Sequence, residues 1–166
     1  MLNKQLITIC FFNLISIYQI KKIGGGIMEN RGGCMCGKTR YKVSGEPVGG
    51  VFYCHCNDCK KQTGSSFKVV AGFLAEKFSF EDDSHVKTYV TVGDTGKDVD
   101  RVFCGNCGSP LYSATDLVPG IFMVAIGTLD DSSWVEPPIE IYTKDKIKSA
   151  VIPADILGFE GLMPLE

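Results

Sequence analysis

The chain has 166 residues, 45% of them apolar, and a formal net charge of −2. That length and apolar content suit one ordinary domain with a buried core and exclude a disordered tail. Acids and bases are interspersed without a basic block, so the sequence makes no electrostatic case for nucleic-acid binding, and none is expected.

The first 27 residues differ from the rest. Residues 5–20 (QLITICFFNLISIYQI) are mostly apolar, contain Cys10, and are flanked by Lys4 and by Lys21 and Lys22. The run lacks a small-x-small cleavage site and, at about 16 residues, is short for a membrane span, which needs about 20. Met28 then opens a polar start, Met-Glu-Asn-Arg-Gly-Gly. Residues 1–27 are therefore expected to be an extension outside the domain, with a signal anchor or a docked helix or strand as the alternatives, and residues 28–166 a single domain. No membrane association is expected.

From there the pattern is that of an all-β domain: short β-branched and aromatic runs bounded by Gly, Pro, Asp or Ser. Strands are predicted at residues 39–43, 51–54, 68–73, 78–81, 87–92, 99–103, 111–113, 121–126 and 139–142. Turn sequences separate them, among them Ser44-Gly45-Glu46-Pro47 and Gly93-Asp94-Thr95-Gly96. Short helical turns are predicted near residues 58–63 and 130–134.

Threaded through these elements are eight cysteines, seven of them in three tight groups. Neighbours so close are poorly placed to form disulfides with each other, but they can aim their sulfurs at one ion; a reduced, metal-binding protein is expected, and hence a cytoplasmic one. The first group is Gly33-Cys34-Met35-Cys36-Gly37. In an extended segment residues i and i+2 share a face, so Cys34 and Cys36 can reach one ion while Met35 points away. The glycines let the backbone curl near the metal and offer N–H groups to the sulfurs.

The middle group, Cys54-His55-Cys56-Asn57-Asp58-Cys59, offers three thiolates within six residues. His55 alternates with Cys54 and Cys56 and is expected to point away from them. The third group, Cys104-Gly105-Asn106-Cys107-Gly108, ends a predicted strand, and C-x-x-C followed by Gly is a zinc-knuckle pattern in which Gly108 takes a positive φ. Cys34, Cys36, Cys104 and Cys107 would close a saturated, structural four-thiolate site. That leaves Cys54, Cys56 and Cys59, three protein ligands and one open position, as in a catalytic zinc. Spacing alone leaves open a partition that joins Cys34 and Cys36 to the middle group, and a pair of wholly structural zincs.

At these residues the chain resembles the glutathione-dependent formaldehyde-activating enzyme family, which includes centromere protein V–like proteins. The matching pieces are Gly32-Gly33-Cys34-Met35-Cys36-Gly37-Lys38-Thr39-Arg40-Tyr41, then Cys54-His55-Cys56-Asn57-Asp58-Cys59-Lys60-Lys61 with Thr63-Gly64-Ser65. Arg101-Val102-Phe103-Cys104-Gly105-Asn106-Cys107-Gly108-Ser109-Pro110-Leu111 and Gly127-Thr128-Leu129-Asp130 follow. The resemblance implies a β-tent fold of folded-over antiparallel sheets. It implies two Zn2+ per chain, with Cys34, Cys36, Cys104 and Cys107 on the structural ion and Cys54, Cys56 and Cys59 on the exchangeable one. It further implies a carbon–sulfur lyase that uses glutathione as co-substrate and joins it to formaldehyde. The competing expectation is a non-enzymatic zinc module of the centromere protein V–like type, but the basic extension that such a protein would carry is missing from this sequence. Met35 departs from the many relatives with His there, and no family element follows Ile147.

The remaining polar residues have simpler expected roles. Lys60, Lys61 and Lys68 are expected to be solvated, or to meet glutathione carboxylates. Arg101 is expected to offset thiolate charge, Asp130 to cap a turn, and Trp134 and Phe122 to pack in or near the core.

Overall fold

A computed structural model describes residues 29–48 and 50–164. The chain is mainly β, and among the described residues the strands form two sheets. The first sheet has three antiparallel strands in the order β1 (Glu29–Gly33), β2 (Arg40–Ser44), β5 (Phe78–Asp82). The second holds β3 (Val51–Cys54), β4 (Lys68–Leu74), β6 (Val86–Val92), β7 (Asp98–Cys104), β8 (Pro110–Thr115), β9 (Ile121–Ala125), β10 (Ile139–Ile141) and β11 (Leu157–Phe159). Their spatial order is β11-β10-β3-β4-β9-β8-β7-β6. Among the described residues an α-helix, α1 (Asn57–Thr63), follows β3. Among the described residues no helix is long and apolar enough to cross a membrane.

The two sheets fold over a common core. Tyr41 and Val43 of β2 meet Phe73 of β4, Leu111 of β8 and Val124 of β9, all fully buried. Phe78 sits among aromatic rings from both sheets, stacked 4.9 Å from Tyr41 and edge-on 5.0 Å from Tyr112. Alternation along β4 divides this core from a second cluster. Ala71 and Phe73 enter the main core, while Val70 joins Phe52, Cys54, Ile139 and Ile141 on the other side.

The two folded sheets agree with the sequence expectation, with four differences. Strand β10 and the edge strand β11 pair in parallel, β10 with β3 and β11 with β10. Each is reached by a long connection, which a parallel pair requires. Strand β1 (ENRGG) is polar and glycine-rich, and its pairing with β2 rather than its own composition makes it a strand. β11 (LGF) is likewise too short to read from sequence. Residues 130–134 form a turn, not a helix: Val135 N–H donates to the Ser132 carbonyl and Asp131 caps Ser133 N–H, after which Pro137 and Pro138 give an extended path. The helical turn lies just before it, a 3-10 turn at Ile126–Thr128.

That 3-10 turn and the residues after it clamp the small sheet. Asp130 N–H donates to the Arg31 carbonyl at 2.8 Å, and the hydroxyls of Tyr41 and Thr128 lie 2.8 Å apart. Arg40 grips Asp130 through both guanidinium nitrogens, one of them at 2.9 Å. Asp130 is therefore an ion-pair partner rather than the expected turn cap. Gly32 is pressed against this segment: a Cβ there would lie 2.5 Å from both the Thr128 carbonyl oxygen and the Tyr41 hydroxyl.

Candidate metal centres

The turn after β1 and the turn between β7 and β8 are built alike. In the first, Cys34 N–H donates to the Thr39 carbonyl and Gly37 N–H to the Cys34 carbonyl; in the second, Cys104 N–H donates to the Ser109 carbonyl and Gly108 N–H to the Cys104 carbonyl. Gly37 and Gly108 leave these turns at φ 75° and 77°, a conformation that favours glycine. The two turns face each other and are stitched together by Met35 N–H to Ser109 Oγ at 3.1 Å and Lys38 Nζ to Asn106 Oδ1 at 3.1 Å.

The Sγ atoms of Cys34, Cys36, Cys104 and Cys107 thereby gather within 4.8 Å of one another. Cys34 and Cys36 are 3.4 Å apart, and Cys36 and Cys104 3.9 Å. A tetrahedral ion with Zn–S bonds of about 2.3 Å requires sulfurs about 3.8 Å apart, so the donor set fits zinc. Thr39 N–H and Asn106 Nδ2 donate to the sulfurs of Cys34 and Cys36, each at 3.3 Å. The expected glycine donors are thus replaced by a threonine amide and an asparagine side chain. Ser109, through its hydroxyl and then its backbone, pulls the Cys107 thiol down to about 5. Met35 points to solvent at 86% exposure, as the alternation required.

The second group forms where β3 runs into α1. Cys54 is the last residue of β3, Cys56 is the helix N-cap, and Cys59 lies in the first turn. The Cys56 sulfur accepts the Cys59 N–H at 3.3 Å, taking the place of the usual Ser or Asp cap. Gly64 closes the helix at φ 64° and donates to the Lys60 carbonyl. The three Sγ atoms lie within 4.8 Å of one another.

Crowding sets the protonation of this trio. Hydrogen bonds from Cys54 and then Cys56 hold Cys59 at about 3 against the opposing effect of burial, with Lys68 and Arg101 adding positive charge nearby. The same contacts, with burial, drive Cys54 far above the ordinary thiol range. Three thiolates need a cation in their midst, which is the chemistry of a divalent metal site. Each cluster could therefore hold one metal ion, and zinc fits both.

The trio opens on a cleft of about 450 Å³. Lys68 and Arg101 line it and are themselves buried, 3% and 8% exposed. The Lys68 ammonium lies 3.0 Å from Gln62 Oε1 and 3.5 Å from Ser113 Oγ, and burial lowers its pKa. The expected solvated role of Lys68 is thus incorrect; it is buried in the cleft lining, where the three thiols act on its charge. Lys60 is tied to the Asp145 carbonyl, whereas Lys61 is exposed. Arg101 donates to Asp58 Oδ2 at 2.8 Å and Thr91 Oγ1 at 2.9 Å, linking β7 to α1. It lies close enough to bias Cys59, so the expected offset of thiolate charge falls on the middle group rather than on the third knuckle that Arg101 neighbours in sequence.

A model of the glutathione-dependent formaldehyde-activating enzymes matches residues 29–145. The chain belongs to this family. A solved structure of a Rhodobacter sphaeroides protein, a Northeast Structural Genomics target, is similar in fold at a TM-score of 0.50 and 20% identity. The similarity covers 64% of this chain and 91% of that one.

In this family member, the structure brings the seven predicted cysteines together as four and three, closing the partition that spacing left open. His55 stays out of both groups. It is fully buried, with Nε2 3.0 Å from Glu140 Oε2, a carboxylate also held by Lys146 at 2.8 Å. Cys10 and the rest of residues 1–27 lie outside the described residues. Tyr142 was missed by sequence reasoning. It lines the cleft, is the one non-glycine at positive φ among the described residues (59°), and donates its hydroxyl to Asp94 Oδ1 at 2.7 Å. A tyrosine just after a strand gives no sequence signal for that conformation.

Proposed function

We propose that the chain is a zinc-dependent enzyme of the carbon–sulfur lyase type, which binds glutathione or a related thiol and promotes its addition to formaldehyde or another small carbonyl compound. One observation carries this reading: three cysteine sulfurs converge on a cleft, while the other four form a closed set elsewhere. On this reading Cys34, Cys36, Cys104 and Cys107 hold a structural Zn2+, and Cys54, Cys56 and Cys59 a second one with a free position. A zinc ion in the second set would supply a deprotonated substrate sulfur at neutral pH, where a free thiol is mostly protonated. In the addition, the thiol sulfur forms a bond to the carbonyl carbon, the C=O π bond breaks, and the thiol proton ends on the oxygen. Lys68 and Arg101 place positive charge beside the thiolates. Holding both reactants in one cleft adds proximity. Residues 28–166 are read as one domain with 1–27 as an extension, and the seven unpaired thiols fit the reducing cytoplasm.

The test uses the zinc-loaded full chain. Calorimetry should show glutathione binding, and proton exchange spectroscopy should show formaldehyde and glutathione interconverting with S-hydroxymethylglutathione faster than in buffer. Absence of both would overturn the reading.

A further inference from the structure

The cleft of about 450 Å³ beside the three cysteines is mostly apolar. Cys54, Cys56 and Cys59 pack in one apolar cluster with Phe52, Val70 and Met123, all of which line the cleft. The charged groups on its lining are Lys68, Arg101 and Lys144 against Asp58, Asp94 and Asp145, which cancel. Arg101 is engaged with Asp58, and Lys68 with Gln62 and Ser113. No surplus of positive charge awaits a ligand with two carboxylates.

One wall comes from the tail. The family match ends at residue 145, and the chain then returns as β11 beside β10. Gly161 accepts a hydrogen bond from Tyr142 N–H at 2.9 Å, which anchors the segment that carries Leu162 and Met163 into the cleft. These two side chains pack against the same cluster as the three cysteines.

We infer that the thiol taken by this site carries an apolar substituent, and that Leu162 and Met163 of the tail are the residues that select for it. The inference rests on the reading that the three-cysteine site takes a thiol. A substrate sulfur placed among Cys54, Cys56 and Cys59 leaves its substituent against the apolar walls, where each buried methylene adds to affinity.

The test is calorimetry on the zinc-loaded full chain with ethanethiol, butanethiol, hexanethiol and glutathione. Affinity should rise about fourfold at most for each added methylene. In the Leu162→Ser/Met163→Ser double variant, checked for fold and for two bound metals, the rise should shrink markedly while ethanethiol binding is kept. Leu162→Trp keeps an apolar tail and should weaken hexanethiol alone by filling the space it needs; it serves if the double variant does not fold. Affinity flat along the series with glutathione still bound would overturn the inference and leave the proposed function standing. Alkanethiols binding without glutathione would uphold the inference and remove glutathione from the proposed function. A wild-type gradient unchanged in both tail variants would overturn the role of Leu162 and Met163. If no thiol binds, both readings fall.

Discussion

The two cysteine clusters use the same ligand atom and differ in what they join. The four-cysteine cluster draws on the β1–β2 turn and the β7–β8 turn, which belong to different sheets and lie far apart in sequence. The three-cysteine cluster is local, spanning the end of β3 and the first turn of α1. A metal in the first ties two sheets together; a metal in the second closes only a short stretch of chain. Stability should therefore depend on the first, and chemistry on the second, which alone faces the cleft.

The sharpest way to break this contrast is to remove one ligand from each side. Cys107→Ser should unfold the domain, because structural zinc contributes roughly 10–16 kcal/mol in small zinc peptides, as large as the 5–15 kcal/mol that holds a whole domain together. Cys56→Ser should leave the domain folded with one metal and without glutathione binding. Circular dichroism, metal analysis and calorimetry on both variants decide it. The opposite pattern would show the roles assigned the wrong way round, and unfolding of both would make the second site structural as well.

A smaller effect should come from the clamp that supports the four-cysteine side. Gly32→Ala places a methyl group against the Thr128 carbonyl, a backbone atom with little room to yield. Overpacking of this kind costs about 1–3 kcal/mol, and the loss should appear as a melting temperature lower by about 2–4 °C per kcal/mol. The clamp shares no residue with the trio or the cleft lining, so glutathione affinity should be unchanged; a fall in affinity would mean that the two regions are coupled.

The smallest effect concerns pH. Arg40 holds the Asp130 carboxyl below its ordinary value. Its folded pKa is thus lower than its unfolded one, so the pair stabilises the fold above the ordinary carboxylate range and stops doing so as pH falls through the folded value. Both partners are partly exposed and solvent-screened, so the contribution is about 0–1 kcal/mol. Asp130→Asn should lower stability by that amount at neutral pH and flatten the decline below about pH 4, as read from urea midpoints across pH.

Much of the frame was legible in the sequence. Strand β3 has the predicted limits, and α1 falls within a residue of its predicted start, because alternation, Gly and Asx residues mark their ends locally. Spacing and ligand count favoured grouping the seven cysteines as four and three but left another partition open, since spacing fixes which sulfurs are neighbours and not which turns meet; the family resemblance chose between them. β1 and β11 escaped because pairing partners define them, and Tyr142 because its backbone is set by the cleft around it. Lys68 was the instructive miss. Its neighbours Val69 and Val70 mark a strand, but which face of that strand meets the core is decided by the sheet on the other side.

Lys68 also gives β4 a means of rejecting wrong alignments during folding. The strand is covered on both faces, so hydrophobicity alone is a weak guide to its register with β3 and β9. A slip by one residue would exchange its faces and drive the Lys68 ammonium into the layer where Ala71 and Phe73 now pack, an uncompensated buried charge. The native alignment instead leaves the charge beside Gln62, Ser113 and the thiols. One ionic side chain in a strand otherwise free of charge thus disfavours a slipped register.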